Sequence, residues 1–360
     1  MRIVYQSYEG RFSDSPRAVY EALIARGEAD HTHVWMADPA HRAGFPEGVA
    51  TVEYGSPECV ELLEGADLLV ANTHTDFPWN KRPETTYLQI WHGTPLKRIH
   101  WDVLWAPPHR LDRLQRDVDR WDLLVSPSPV ATPLLRRAFH YERVVAETGY
   151  PRNDLLSRPD RDEVRARVRG QLGIADGRTA VLYAPTWRDQ EFFPEGGEEF
   201  ALRLDAGAFA ERLGADHVLL LRLHYTMTGR LAAAERHESV RDVSWHPDIG
   251  ELYLAADVLV TDYSSAMFDF AVTGKPILFY TYDLEAYASR LRGFYFDLEP
   301  EAPGPLLRTT GEVLDALSEL RALQERWADR YAAFQAKFCA LEDGHATQRV
   351  IERALRPRAR

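Results

Sequence analysis

Short apolar runs alternate with amphipathic stretches from the first residue to about residue 280. The runs RIVYQS (2–7), THVWMAD (32–38), ADLLVAN (66–72), TTYLQIWHG (85–93), DLLVSPS (122–128) and RVVAETGY (143–150) read as strands. A polar, helix-favouring stretch covers 158–177. A second series then begins with TAVLYAPT (179–186), HVLLLRLH (217–224), DVLVTDY (257–263) and KPILFYT (275–281). These runs lack the apolar–polar alternation of a half-exposed strand, so they fit parallel sheets covered by helices on both faces. Helices fit the gaps. Ser15-Pro16 and Ser56-Pro57 each offer a capping hydroxyl followed by a first-turn proline. IGELYLAA (249–256), SAMFDFAVTG (265–274) and most of the last fifty residues also read as helix.

The series is too long for one sheet of usual size and breaks near 155–178. The expected organisation is an α/β chain of two Rossmann-like domains, 1–157 and 158–330, followed by a C-terminal helix and basic tail over 331–360. In open parallel sheets ligands lie outside the carboxyl ends of the strands. Candidate chemistry therefore belongs to the residues just beyond each run.

Four strand ends carry unusual polar residues. In LQIWHGTPLKR (88–98), His92 follows a run and precedes Gly93, Thr94 and Pro95. A histidine there is either a structural turn residue or an acceptor for a hydroxyl proton. In VLYAPTWRDQ (181–190), Pro185 and Thr186 close the strand, and Arg188 is either a surface residue beside Trp187 or a bidentate phosphate ligand. In HVLLLRLHY (217–225), Arg222 and His224 stand two apart. On an extended strand both would project from one face, and an anion would account for them. In DVLVTDYSSAMFDF (257–270), Ser264 and Ser265 open a helix whose free N–H groups suit an anion, and Asp269 follows one turn on. Simple capping by serine accounts for the same pattern.

Composition narrows the classes. The net charge of −12 argues against a general nucleic-acid binder, which needs a basic footprint. It leaves room for a phosphate held locally by a few Arg and His residues. Cys59 and Cys339 stand far apart and in no metal-ligand spacing, which suits free thiols in a reducing compartment. The N-terminus lacks a secretory pattern and no run is long enough to span a bilayer, so a cytoplasmic location is expected. The basic end RALRPRAR and the Trp- and Arg-bearing segment 99–116 are the candidates for peripheral contact with an anionic membrane. No GxxxxGK[ST], clean GxGxxG, HExxH or GxSxG string occurs, which weakens P-loop, dinucleotide, zincin and hydrolase readings. No acidic cluster is spaced for Mg²⁺, so no obligatory metal or other cofactor is expected.

Taken together and in order, YQSYEGRFSDSPRAVYEAL, LQIWHGTPLKRI, TGYPRND (148–154), YAPTWRD, LLRLHY, the stretch from DIGELYLAADVLVTDYSSAMFDF through KPILFYTYDLEAY, and RGFYFDLEPEAPGP (292–305) resemble the CDP-glycerol glycerophosphotransferase family of teichoic-acid primases and polymerases. The resemblance covers nearly the whole chain. It implies a GT-B fold, two Rossmann-like domains with parallel sheets facing a central cleft and a helical C-terminus. The first domain would serve the acceptor and the second the CDP donor. It implies transfer of a polyol phosphate, glycerol phosphate before ribitol phosphate, from the CDP-polyol to a hydroxyl, with CMP leaving. The acceptor would be a lipid-linked glycan or a polyol-phosphate polymer of a teichoic acid or capsule. By position the resemblance assigns catalysis to His92 and His224. It assigns the donor to Trp91, Gly93, Thr94, Pro95, Arg152, Pro185, Thr186, Arg188, Arg222, Leu223, Ser264, Ser265 and Asp269. The alternatives are a GT-B glycosyltransferase with a nucleotide-sugar donor and a non-catalytic binding protein of the same fold.

Overall fold

The computed structural model describes residues 1–27, 30–103, 108–186, 202–223, 237–288 and 293–356. The chain forms two compact units. One is Met1–Ser157 together with Phe338–Arg360, and the other is Arg158–Lys337. Residues 338–360, which the sequence pattern sets apart as part of a tail, thus belong to the first unit.

Among the described residues the first unit is built on seven parallel strands: β1 (Arg2–Gln6), β2 (Thr32–Ala37), β3 (Thr51–Glu53), β4 (Leu68–Ala71), β5 (Thr86–Gln89), β6 (Leu123–Ser126) and β7 (Val144–Glu147). Their order is β3-β2-β1-β4-β5-β6-β7. The period-2 geometry of each strand divides its apolar residues between two cores. Ile3, Tyr5, Trp35, Val70, Leu88 and Val125 face one side. There they meet Val19 and Leu23 of α1 (Asp14–Ala25) and Val350 and Ile351 of the helix Ala346–Ala354. Val4, Met36, Leu69, Tyr87 and Leu124 face the other. That core contains Cys59 and Leu63 of α2 (Pro57–Glu64). A further helix, α3 (Pro108–Val118), contributes Val118, and α4 (Ala131–Phe139) contributes Leu135 and Phe139. Burial of each such side chain stabilises the unit by about 1.5–3 kcal/mol. Both cysteines are free thiols.

The second unit repeats the plan with, among the described residues, six parallel strands: β8 (Thr179–Tyr183), β9 (His217–Leu221), β10 (Val240–Asp242), β11 (Val258–Thr261), β12 (Ile277–Tyr280) and β13 (Leu306–Leu307). They are ordered β10-β9-β8-β11-β12-β13. The polar stretch over 158–177 carries α5 (Arg161–Gln171). It is followed by α6 (Ala206–Leu213), α7 (Ile249–Ala255) and α8 (Ala266–Ala271). Arg165 and Arg169 of α5, with Lys275, donate to the last carbonyls of α7: Arg165 to Leu254 at 2.6 Å, Arg169 to Ala255 at 3.0 Å, Lys275 to Ala256 at 2.7 Å. Cations at a helix C-terminus satisfy orphan carbonyls and oppose the helix dipole. The end of the chain is three helices rather than one: α9 (Thr310–Ser318), α10 (Leu320–Phe338) and α11, the helix Ala346–Ala354 already described.

Two local readings change. Ser15 does not cap α1; the cap position is Ser13, and Ser15 lies buried inside the first turn. Strand β9 ends at Leu221, because its neighbours β8 and β10 end opposite it at Tyr183 and Asp242. Arg222 therefore lies just beyond the strand, although its N–H still donates to the Tyr183 carbonyl at 2.9 Å, and the shared-face reading involves His224, which lies outside the described residues.

The turn after β1 is tightly constrained. Tyr8, Glu9 and Gly10 all have positive φ, at 43°, 59° and 119°. A Cβ on Gly10 would lie 2.1 Å from the Asp38 nitrogen, whose N–H donates to the Gly10 carbonyl at 3.0 Å. Gly10→Ala is expected to destabilise the chain by about 1–3 kcal/mol through crowding. The loss will be read as a drop of several degrees in thermal melting, and an unchanged melt would show that this turn is not constrained.

Candidate active site

The order of the first sheet reverses between β1 and β4, so the segments after β1, β4 and β5 emerge side by side. This is where open α/β sheets bind ligands. His92, in the segment after β5, has its Nδ1 2.8 Å from the carbonyl oxygen of Asn72, which follows β4. A carbonyl only accepts, so Nδ1 carries the hydrogen and Nε2 of the neutral ring keeps its lone pair.

The backbone around His92 is held in an uncommon shape. Trp91 has φ 60° and Gly93 has φ 156°. An aromatic residue in the left-handed region costs about 1–2 kcal/mol and persists only where the surroundings over-determine it. Trp91 is fixed on two sides. Its N–H donates to Gln89 Oε1 at 2.9 Å, and its buried ring meets Phe139 edge-on at 4.6 Å. Gly93 takes a φ that side-chain-bearing residues avoid. The result tilts the His92 imidazole over Trp91 at 4.1 Å between ring centres, with Tyr8 5.8 Å away. Thr94 and Pro95 continue as buried residues.

Beside His92 stands a buried ion pair. Arg152, after β7, places Nη1 2.7 Å from Asp14 Oδ2 and 3.1 Å from the His92 carbonyl. Asp14 also accepts from the Tyr8 hydroxyl at 2.9 Å and from the Ser15 N–H at 2.6 Å. The side chains of Asp14 and Arg152 are only 4% and 10% exposed, so the pair is shielded from solvent. Burial pushes the Asp14 carboxyl up. The Arg152 charge and the hydrogen bonds from Ser15, Arg152 and Tyr8 outweigh that and hold it below the usual range. For His92, burial dominates and lowers its pKa to about 4. The Asn72 bond and Asp14 act upward, while Arg152 and His74 act downward. The ring is neutral at pH 7, with one nitrogen tied and the other available to take a proton.

The second sheet reverses between β8 and β11. Pro185 and Thr186 follow β8, and the Thr186 N–H donates to Asp262 Oδ1 at 2.8 Å. The same oxygen accepts from the Tyr263 N–H at 2.5 Å, and Thr261 Oγ1 donates to the Ala184 carbonyl at 2.7 Å. These bonds fix the two strand ends against each other. Ser264 Oγ accepts from the Ala266 N–H at 3.3 Å, while Ser265 takes the cap position of α8 without a side-chain bond. Asp269 is buried in the first turn of that helix. Arg222 donates through Nη1 to the carbonyls of Val243, Ser244 and His246 at 3.1, 2.8 and 2.5 Å, so it braces that loop. Leu223 is buried in the apolar core, and its N–H donates to Ser244 Oγ at 2.9 Å. Arg188 and His224 lie outside the described residues.

The structure thus gathers Trp91, His92, Gly93, Thr94, Pro95 and Arg152 in the first unit. It gathers Pro185, Thr186, Ser264, Ser265 and Asp269 in the second. The sequence reading missed Tyr8, Asp14 and Asn72. Asp14 is hidden in the string SDSP, three capping-type residues before a first-turn proline. Its partner Arg152 is 138 positions away. Among the described residues no group of three or more His, Cys, Asp or Glu is placed to hold a metal ion, and no helix is long and apolar enough to cross a membrane.

Residues 1–356 match the family model described as CDP-Glycerol:Poly(glycerophosphate) glycerophosphotransferase. The chain is 39% identical to the teichoic acid glycerol-phosphate transferase of Staphylococcus aureus, over 97% of this chain and 92% of that protein. It is 35% identical to the teichoic acid poly(glycerol phosphate) polymerase of Bacillus subtilis, over 97% of this chain but 48% of that longer protein. The solved structure of the wall teichoic acid polymerase TagF superposes with a TM-score of 0.90 at 34% identity, covering 98% of this chain and 88% of that one. The fold is therefore the GT-B type of that structure.

The His92 environment has a consequence for stability. The unfolded ring takes a proton near its ordinary pKa of 6.5, and the folded ring only near 4. Between those values protons favour the unfolded chain, so His92 makes stability fall as pH falls, by roughly 2 kcal/mol at pH 5. His92→Gln removes this term. The difference in melting temperature between pH 7 and pH 5 is expected to shrink in the variant, and an equal or larger difference would contradict a neutral, buried His92.

Proposed function

Because the chain belongs to the CDP-glycerol:poly(glycerophosphate) glycerophosphotransferase family, we propose that it transfers glycerol phosphate from CDP-glycerol to a hydroxyl of a teichoic-acid-type acceptor. The observation that carries the reading is His92, whose imidazole is neutral and tied through Nδ1 to Asn72 with Nε2 free to accept a proton. In the proposed step the acceptor oxygen attacks the phosphorus that bears glycerol. Its proton passes to Nε2 of His92. The bond from that phosphorus to the bridging oxygen breaks, and CMP leaves with the oxygen. Positioning and charge stabilisation supply most of the acceleration in such transfers.

The two switch points divide the labour. In dinucleotide-binding sheets a diphosphate rests on the helix N-terminus after the first strand. Here that place holds the Asp14 carboxylate, bonded to the Ser15 N–H. That carboxylate already takes up the Ser15 N–H and the Arg152 charge that a phosphate would use, which favours an acceptor hydroxyl in the first unit. In the second unit Thr186, Ser264, Ser265 and Asp269 lie around the corresponding point and are assigned to CDP-glycerol, together with Arg188 and His224. His224 is assigned the departing CMP. Arg222 and Leu223 are assigned to support of that region. Arg152 is assigned to His92 through its bond to the His92 carbonyl.

The acceptor is a lipid-linked glycan or a growing polyol-phosphate chain. We assign the peripheral membrane contact to α3, where Arg110, Arg113 and Arg116 are exposed and Leu111 is buried. Arg113 is also paired with Asp76 at 2.8 Å.

Thermal stability measured in parallel with CDP-glycerol, CDP-ribitol, UDP-glucose and CMP tests the donor. CDP-glycerol at 100 times its Kd adds about 2.7 kcal/mol. A shift with UDP-glucose alone would overturn the reading in favour of a glycosyltransferase. A shift with CDP-ribitol alone would replace the polyol. His92→Ala is expected to keep the CDP-glycerol shift and to lower glycerol-phosphate transfer by roughly 10²–10⁴-fold. Near wild-type turnover would remove His92 as the base.

A further inference from the structure

We propose that Asp14 and Arg152 form a charge-balanced positioning pair for His92, fixing its peptide through the shared Arg152 nitrogen and setting how readily its ring takes a proton. The inference rests on the reading of His92 as proton acceptor and extends it to residues that touch neither the ring nitrogens nor the reacting atoms.

Three observations carry it. First, one nitrogen does two tasks: Nη1 of Arg152 bonds both the Asp14 carboxylate and the His92 carbonyl. The peptide it grips lies between left-handed Trp91 and Gly93, where the backbone has no regular ladder to hold it. Second, the Asp14 carboxylate is saturated from three directions, by Tyr8, Ser15 and Arg152. Such an anion does not wander, so the guanidinium it holds does not either. Third, a buried ion pair is weak as a source of stability, because desolvation offsets the attraction. A pair at this place, reaching from α1 to the segment after β7, is better explained by what it holds.

Electrostatics gives the pair a second effect. The charged and titratable groups that face His92 are Asp14 on α1, Arg152 after β7, His74 after β4 and Tyr8 after β1. When Nε2 takes a proton, a positive charge appears in a partly shielded site. Asp14 favours that charge and Arg152 opposes it. With both present the two fields largely offset each other. Removal of one tilts the balance. Loss of Asp14 leaves a weaker base, and loss of Arg152 leaves a stronger but unanchored one.

The test is a titration of His92 by NMR in the full chain labelled with ¹⁵N-histidine, the His92 signal being the one absent from His92→Gln. Arg152→Gln is expected to raise the His92 midpoint by about 0.5 pH units or more. Adding Asp14→Asn to that variant is expected to bring it back down. Arg152→Lys, which keeps the charge and loses the shared-nitrogen geometry, is expected to leave the midpoint near wild type. It is also expected to lower kcat by about tenfold with KM for CDP-glycerol unchanged. A midpoint that stays put or falls in folded Arg152→Gln overturns the proposal, as does undiminished kcat in Arg152→Lys. If Arg152→Gln does not fold, Asp14→Asn alone decides, because its midpoint must drop. A wild-type chain without glycerol-phosphate transfer would sink the proposed function, yet the titration would still decide whether the pair tunes His92.

Discussion

The hydrogen bond from His92 to the Asn72 carbonyl is the contact on which the candidate site depends. It exists because β4 and β5 are parallel neighbours, so both chains leave the sheet at the same edge. It selects the tautomer of the imidazole and leaves Nε2 with its lone pair. The left-handed turn at Trp91, the buried indole against Phe139 and the Arg152 grip on the His92 carbonyl all serve that one orientation. Burial then keeps the ring uncharged. A general base needs both properties at once, a fixed direction and an empty lone pair.

The two sheets have the order associated with dinucleotide binding, yet the first lacks the phosphate cradle that usually accompanies it. Its β1–α1 turn is built from Tyr8, Glu9 and Gly10 with positive φ, and its helix start is filled by Asp14. A carboxylate at that position exchanges an anion site for an internal ion pair. Topology alone is therefore a poor guide to the ligand; the charge at the switch point decides.

Much of the fold was legible because strands buried on both faces leave uninterrupted apolar runs. All ten strands expected from those runs are present. The missed strands β3, β10 and β13 are edge strands of two or three residues, too short to leave a periodic trace. His92 was marked by its place just beyond such a run, and its assignment as the base came from the family resemblance rather than from that place. Asp14 was not, since its meaning comes from Arg152 at the far end of the first unit. Arg222 looked like a ligand because its strand seemed to continue. Its N–H still joins the sheet through the Tyr183 carbonyl, while the side chain donates to carbonyls of the following loop, a use that its spacing did not suggest. Spacing along a chain records local geometry well and carries little about partners brought together by the sheet.

The return of α11 to the first unit bears on the order in which the chain matures. Val350 and Ile351 complete a core begun by Ile3 and Tyr5. During synthesis, that face of the first sheet is therefore covered by α1 but stays incomplete until residues 346–354 have left the ribosome. The second unit is encoded between the two parts of the first and has all its residues earlier. Since domains fold as units once their sequence is available, the half that carries His92 is the last to close.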